Sequence, residues 1–232
     1  MAGRADAIEA VLFDWGGTLS EHRSVDLLEM WLAAARVLAP DDPEPVAKAL
    51  LAAEDHWWTT SVAAGDVSGT TADLLRAVSD ETGLDAAQSA YHAAWGETVA
   101  HDPYAVDCLT ALRGRGLRTG LLSNTHWPRD LHDAWLERDG LLDLLDVRLY
   151  TSEMTHMKPH PEAFLALCRE LDVAPERCVF VGDRPRDDVS GAKAVGMRAV
   201  LMTGRPVEVW DAEPDAELVD LRGLPELVAA WT

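Results

Sequence analysis

Two carboxylates sit where chemistry is commonly done. Residues 8–13 form a nearly continuous apolar run that ends on Asp14, followed by Trp15-Gly16-Gly17-Thr18-Leu19. Such a run reads as a buried strand of a parallel sheet. The glycines read as a tight turn that lets another group approach the backbone closely. Far along the chain the pattern returns: residues 178–181 run into Gly182-Asp183, and Asp187-Asp188 then open a helix. In open α/β sheets, ligands bind beyond the carboxyl ends of the strands. Two strand-end carboxylates in that position suggest a shared divalent cation.

The elements that must position them follow from the apolar pattern. Residues 24–38, 45–64, 70–82 and 85–99 show helical three-to-four spacing, as in Leu27, Leu28, Trp31, Leu32 and Ala35. Ser24 is the expected cap of the first, and no convincing strand falls within residues 21–100. Beyond them strands and helices alternate. Strands are expected over 118–123, 147–151, 178–181, 198–202 and 217–219, and helices over 105–115, 128–139, 161–171, 187–195 and 224–230; the stretch 210–215 reads as a polar loop. This rhythm implies parallel βαβ units in three layers. The expected organisation is an α/β core from 1–20 and 101–232, with 21–100 inserted as a helical subdomain.

Bulk properties narrow the function. The chain has 232 residues and a formal charge of −20, which opposes contact with nucleic acid or anionic membranes. No apolar run approaches the roughly 20 residues that span a bilayer. Three cysteines without CxxC spacing read as reduced thiols. A cytoplasmic protein, monomeric or homodimeric, is expected.

Four segments in order resemble the haloacid dehalogenase superfamily of hydrolases: Asp14-Trp15-Gly16-Gly17-Thr18-Leu19, Leu121-Leu122-Ser123-Asn124, Lys158-Pro159-His160-Pro161, and Gly182-Asp183 with Asp188. The resemblance covers nearly the whole chain. It is nearest to the subclass with a helical (C1-type) cap between the first two motifs. It implies a three-layer Rossmann-like parallel sheet, Mg²⁺ as cofactor and a small phosphorylated substrate. Asp14 would be the nucleophile that forms an aspartyl-phosphate. Asp14, the Gly16 carbonyl, Asp183 and Asp188 would surround the cation or lie beside it. Ser123 and Lys158 would serve the phosphoryl group, and substrate contacts would fall to Gly17, Thr18, Ser123, Asn124 and His126.

One position departs from the pattern. Phosphatases of this family usually carry a second Asp two residues after the nucleophile, as general acid and base. Gly16 stands there, and glycine transfers no proton. General acid–base catalysis is worth about 10²–10⁴-fold. His126 is the first candidate to replace it, then His22 or Glu21. Otherwise the substrate has a good leaving group, such as an acyl phosphate, or the chain is a weakly active binding or regulatory relative. The family's phosphonatases also lack that Asp but use a cap lysine; Lys48, alone in residues 21–100, reads as a surface charge. A dehalogenase proper needs no metal, against which the acidic set argues. Adjacent Trp57 and Trp58 cannot both face one core, so one is expected at the cleft or at a dimer contact.

Overall fold

The computed structural model describes residues 7–21, 23–80, 82–96, 98–204 and 213–231. His22, one candidate acid, and part of the 210–215 loop lie outside them. Six parallel strands form one sheet: β1 (Ala10–Phe13), β2 (Arg118–Ser123), β3 (Val147–Tyr150), β4 (Cys178–Gly182), β5 (Arg198–Met202) and β6 (Ala216–Leu218), in the order β3-β2-β1-β4-β5-β6. Side chains alternate between faces. Val11 and Phe13 enter one apolar cluster and Ala10 and Leu12 the other, so β1 is buried on both sides. Helices α5 (Ala105–Gly114), α6 (Arg129–Arg138) and α9 (Leu224–Ala229) cover the first face. Helices α7 (Pro161–Leu171) and α8 (Gly191–Ala194) cover the second. The cysteines are free thiols buried among these layers.

The topology decides where a ligand goes. From β1 the chain builds outward on one side through β2 and β3, then crosses to β4 on the other. Phe13 pairs with Leu121 in β2 and with Val181 in β4. The carboxyl ends of β1, β2 and β4 thus meet where the strand order reverses, at the crevice such sheets offer to ligands.

Four helices lie between β1 and α5: α1 (Leu27–Leu38), α2 (Pro43–Ala63), α3 (Thr71–Val78) and α4 (Leu84–Gly96). They pack on one another around Trp31, Leu50, Leu75 and Tyr91. Asp26, not Ser24, caps α1, because its carboxylate accepts from the Leu28 and Glu29 amides and faces the positive end of the helix. Proline sets the start of α2 at Pro43 rather than 45. A capping box between Thr70 and Asp73 starts α3, which ends at Val78, short of 82. The chain leaves and rejoins the sheet side by side. Glu21 N donates to Ala100 O (2.9 Å), and Asp102 N donates to Leu19 O (2.9 Å).

The helix expected over 187–195 is replaced by a π-helical turn, Pro185–Ser190, leading into α8. Asp188 is the cause. Its Oδ2 accepts from the amides of Asp183 (3.0 Å) and Arg184 (2.9 Å), folding the turn back over the end of β4. Wide turns of this kind recur at functional sites. No helix among the described residues is long and apolar enough to cross a membrane.

Behind the strand ends His132 is fully buried, stacked on Tyr150 at 4.7 Å and bonded through Nε2 to Thr125 Oγ1 at 3.1 Å. Burial pushes its imidazole down from 6.5 to about 3. Between those values the unfolded chain takes up a proton that the folded chain refuses. Stability therefore falls with pH, by up to ~1.4 kcal/mol per unit. Between pH 6.5 and 4.5, urea unfolding should show the parent losing roughly 2 kcal/mol more than His132→Gln. Parallel losses would contradict a neutral buried His132.

Candidate active site

Asp14 continues β1 by one residue: its amide donates to Val181 O at 2.9 Å. Its side chain points into a buried ionic chain. Lys158 Nζ donates to Asp14 Oδ1 at 2.6 Å and to Asp188 Oδ1 at 2.7 Å. Lys158 is 2% exposed, and its ammonium lies 5.1 Å from the centre of the Phe180 ring. The loop that carries it is clamped to the end of β2. Asn124 Nδ2 donates to Lys158 O (2.9 Å), and Lys158 N donates back to Asn124 Oδ1 (2.8 Å). Burial opposes the Lys158 charge, but Asp14 and Asp188 outweigh it and hold its pKa above the ordinary lysine value. Burial raises Asp14 to about 6; Lys158 opposes that shift and Asp188 adds to it.

Asp183 completes the cluster. Oxygens of Asp14, Asp183 and Asp188 lie within 4.8 Å of one another, and all three residues are buried. Three carboxylates against one ammonium leave negative charge that a divalent cation would balance, and hard oxygen donors fit Mg²⁺. Asp188 spends both oxygens on Lys158 and the two backbone amides. Asp14, Asp183 and Asp188 are the residues that could hold an ion there.

A cavity of about 240 Å³ opens on this cluster, lined by Asp14, Gly16, Ser123, Asn124, His126 and Lys158 among others. A larger one, about 520 Å³, lies at the opposite end of the strands beside Ile8 and Arg118, away from the cluster. Gly17, with φ of 78°, turns into an adjoining cleft, and Thr18 faces a separate groove beside Asp102 and Met202. Neither lines the cavity that holds Asp14. A Cβ on Gly16 would meet nothing within 4 Å, so the space of the missing carboxylate is open.

His126 is buried at the cavity wall, but both ring nitrogens have partners. Nε2 lies 3.1 Å from Glu54 Oε1 and Nδ1 lies 3.0 Å from Thr71 Oγ1. Glu21 pairs with Arg23 and lines the adjoining cleft. Glu54 was not singled out by motif. Its signal was positional: an acid on the buried stripe Ala47, Leu50, Glu54, Ser61 of α2, where a core-facing helix is apolar. The tryptophan pair divides as adjacency requires. Trp58 lines the cavity, while Trp57 packs in the helical cluster. Lys48 is exposed and pairs with Glu44 at 2.5 Å, outside the cavity.

Gly182 tests how tightly this cluster is built. A Cβ there would fall 2.3 Å from Asp188 Cγ and Oδ2. Gly182→Ala should displace Asp188 and destabilise the fold by about 1–3 kcal/mol. Gly16→Ala, entering open space, should stay within about 0.5 kcal/mol of the parent. Denaturant unfolding of the two variants checks this; equal costs would refute the tight fit at Asp188.

Comparison with known proteins agrees with the geometry. A family model for haloacid dehalogenase-like hydrolases matches residues 8–196. A phosphoserine phosphatase of Thermus thermophilus is 39% identical over 122 residues, 52% of this chain and 48% of that protein. A phosphoglycolate phosphatase of Escherichia coli is 31% identical over 140 residues, 53% and 51% of the two chains. The chain thus spans about half the length of these curated relatives. Among solved structures, a phosphatase of the same superfamily from Thermococcus onnurineus superposes with a TM-score of 0.69 at 25% identity, covering 95% of this chain and 98% of that one. A 2-haloacid dehalogenase of Pseudomonas syringae gives a TM-score of 0.71 at 23% identity, covering 97% and 100%, and shares the fold. The sheet order, the strand-end carboxylates and the family match lead to one conclusion: this chain belongs to the haloacid dehalogenase-like hydrolases.

Proposed function

We propose that the protein is a Mg²⁺-dependent phosphatase that cleaves a small phosphorylated metabolite through an aspartyl-phosphate on Asp14. The observation that carries this reading is the Lys158 ammonium held between Asp14 and Asp188, with Asp183 beside them. Asp14 attacks phosphorus with one carboxylate oxygen, the bond to the leaving oxygen breaks, and water then releases phosphate from Asp14. Lys158 offsets the charge of Asp14 and of the phosphoryl oxygens. Asp188 fixes Lys158. Ser123, at the end of β2 and on the cavity wall, offers its hydroxyl to a phosphoryl oxygen. Mg²⁺, held by Asp14, Asp183 and the Gly16 carbonyl, would supply charge neutralisation on the phosphoryl group. Residues 21–100 act as a cap over the core of 1–20 and 101–232, limiting access and excluding water.

His126 is a poor candidate for the missing acid, because Glu54 and Thr71 occupy both its ring nitrogens. The reading therefore favours substrates whose leaving group departs with little protonation. A second reading, a protein that binds phosphorylated ligands with little turnover, is favoured by the same absence at Gly16.

An assay with p-nitrophenyl phosphate and acetyl phosphate separates the two. The parent should turn over both in Mg²⁺, lose activity in chelator, and fall to background in Asp14→Asn. No Asp14-dependent turnover of either would favour the binding reading. Gly16→Asp should raise activity on simple alkyl phosphates by up to about two to four decades. A rise as large on aryl phosphates would contradict a role in leaving-group protonation.

A further inference from the structure

The cavity that opens on Asp14 is also walled by aromatic rings. Trp15, Trp58, Trp95 and Trp127 line it, and so does Glu54. Glu54 and Trp58 stand one turn apart on α2 and so share a face. Glu54 is 7% exposed. Burial alone would raise its pKa, but hydrogen bonds from His126, Trp31 and Trp58 outweigh it and hold the carboxyl below its ordinary value. It is thus a buried, ionised carboxylate. Among the described residues no lysine or arginine pairs with it; the His126 Nε2 lies 3.1 Å from its Oε1. Nor does any lysine or arginine among them stack on these four indoles, since such contacts fall on Tyr150, Phe180, Trp231 and Tyr104.

Indole rings around a small cavity, beside a carboxylate that no lysine or arginine among the described residues pairs with, are the chemistry that recognises an organic cation. Beside the Glu54 carboxylate an anionic tail would meet like charge. The cavity's other arginine or lysine, besides Lys158, is Arg184, whose side chain is 60% exposed and faces Asp187 at 3.7 Å. The Glu54 oxygens already accept from Trp31 (2.6 Å) and face His126. A primary ammonium, with three protons to place, is served less well than a methylated one, which needs only the field of the carboxylate and the ring faces. At about 240 Å³ the cavity is smaller than the usual range for drug-sized ligands, roughly 300–1,000 Å³, so the ligand is short.

We propose that the leaving group is a short alcohol bearing a methylated ammonium, seated on Trp58, Trp95 and Trp127 beside Glu54. This assigns a substrate class to the site and rests on the phosphatase reading above.

The test compares choline phosphate with its neutral isostere, 3,3-dimethylbutyl phosphate, and with the anionic phosphoglycolate. In the parent, kcat/KM for choline phosphate should exceed that for the isostere by about tenfold or more. Ethanolamine phosphate should fall between them and phosphoglycolate below. Glu54→Gln and, independently, Trp58→Leu should bring the choline-to-isostere ratio close to one. A parent ratio near one, a preference for phosphoglycolate, or a tenfold ratio untouched in both variants would overturn the assignment. Calorimetric binding of the same compounds to Asp14→Asn keeps the two readings apart. If the parent hydrolyses no phosphate, yet Asp14→Asn binds choline phosphate about tenfold tighter than the isostere, the cation subsite stands and the phosphatase reading falls. If neither hydrolysis nor binding discriminates, the subsite falls with it.

Discussion

An ammonium buried between two carboxylates is the constraint around which this molecule is arranged. Lys158, Asp14 and Asp188 are almost wholly out of water, and charges in that position are costly unless each is paired and hydrogen-bonded. The surrounding fold meets that demand point by point. Asp188 is anchored by two backbone amides at the end of β4, which requires the π-helical turn and forbids a side chain on Gly182. Lys158 is delivered by a loop tied to Asn124 at the end of β2. Asp14 stands between those strands because β1 does. Removing one member would strand the other charges in a dry site, so the cluster is strongly coupled.

On the proposed reading, the carboxylate excess over Lys158 makes the same cluster receptive to a divalent cation and then to a phosphoryl group, with charge placed for the transition state before substrate arrives. The helical block adds a different environment, with indoles, the buried Glu54 and the His126–Thr71 contacts that join α3 to the loop after β2. Strand-end residues such as Asp14 and Ser123 and inserted-helix residues such as Glu54 and Trp58 line one cavity. On the proposed reading, phosphoryl chemistry and leaving-group recognition then draw largely on different parts of the chain.

How much of this was legible in the sequence follows from the physics of each feature. Strand-end carboxylates after apolar runs were readable because period, burial and turn residues all act locally. Asp14, Ser123 and Asp183 accordingly fall where the runs end. The π-helical turn was not readable, since it depends on the Asp188 side chain reaching back to Asp183 and Arg184. The start of α1 was misread because Ser24 and Asp26 are both good caps and only the path of the chain chooses between them. Gly17 and Thr18 look like cavity residues from adjacency to Asp14, yet the positive φ at Gly17 turns the chain into neighbouring grooves. Glu54 was the largest omission. A lone acid on an apolar helical stripe looks like an irregularity until the fold brings His126 and Trp31 against it.

The open space at Gly16 and the tryptophan-lined wall of the cavity bear on one another. Without a carboxylate at position 16 the site gives a departing alkoxide less help, so acidity in the leaving group itself lowers the barrier. An ammonium two carbons from the departing oxygen withdraws electron density and acidifies that alcohol. It also places a positive charge near the oxygen as negative charge develops there. As proposed, Glu54 holds that cation by its charge and the indoles by their π faces, in the same small cavity that Gly16 lines. On the proposed reading, loss of the acid and recognition of the cation are two parts of one arrangement, in which bound substrate carries some of the electrostatic work usually done by a protein side chain.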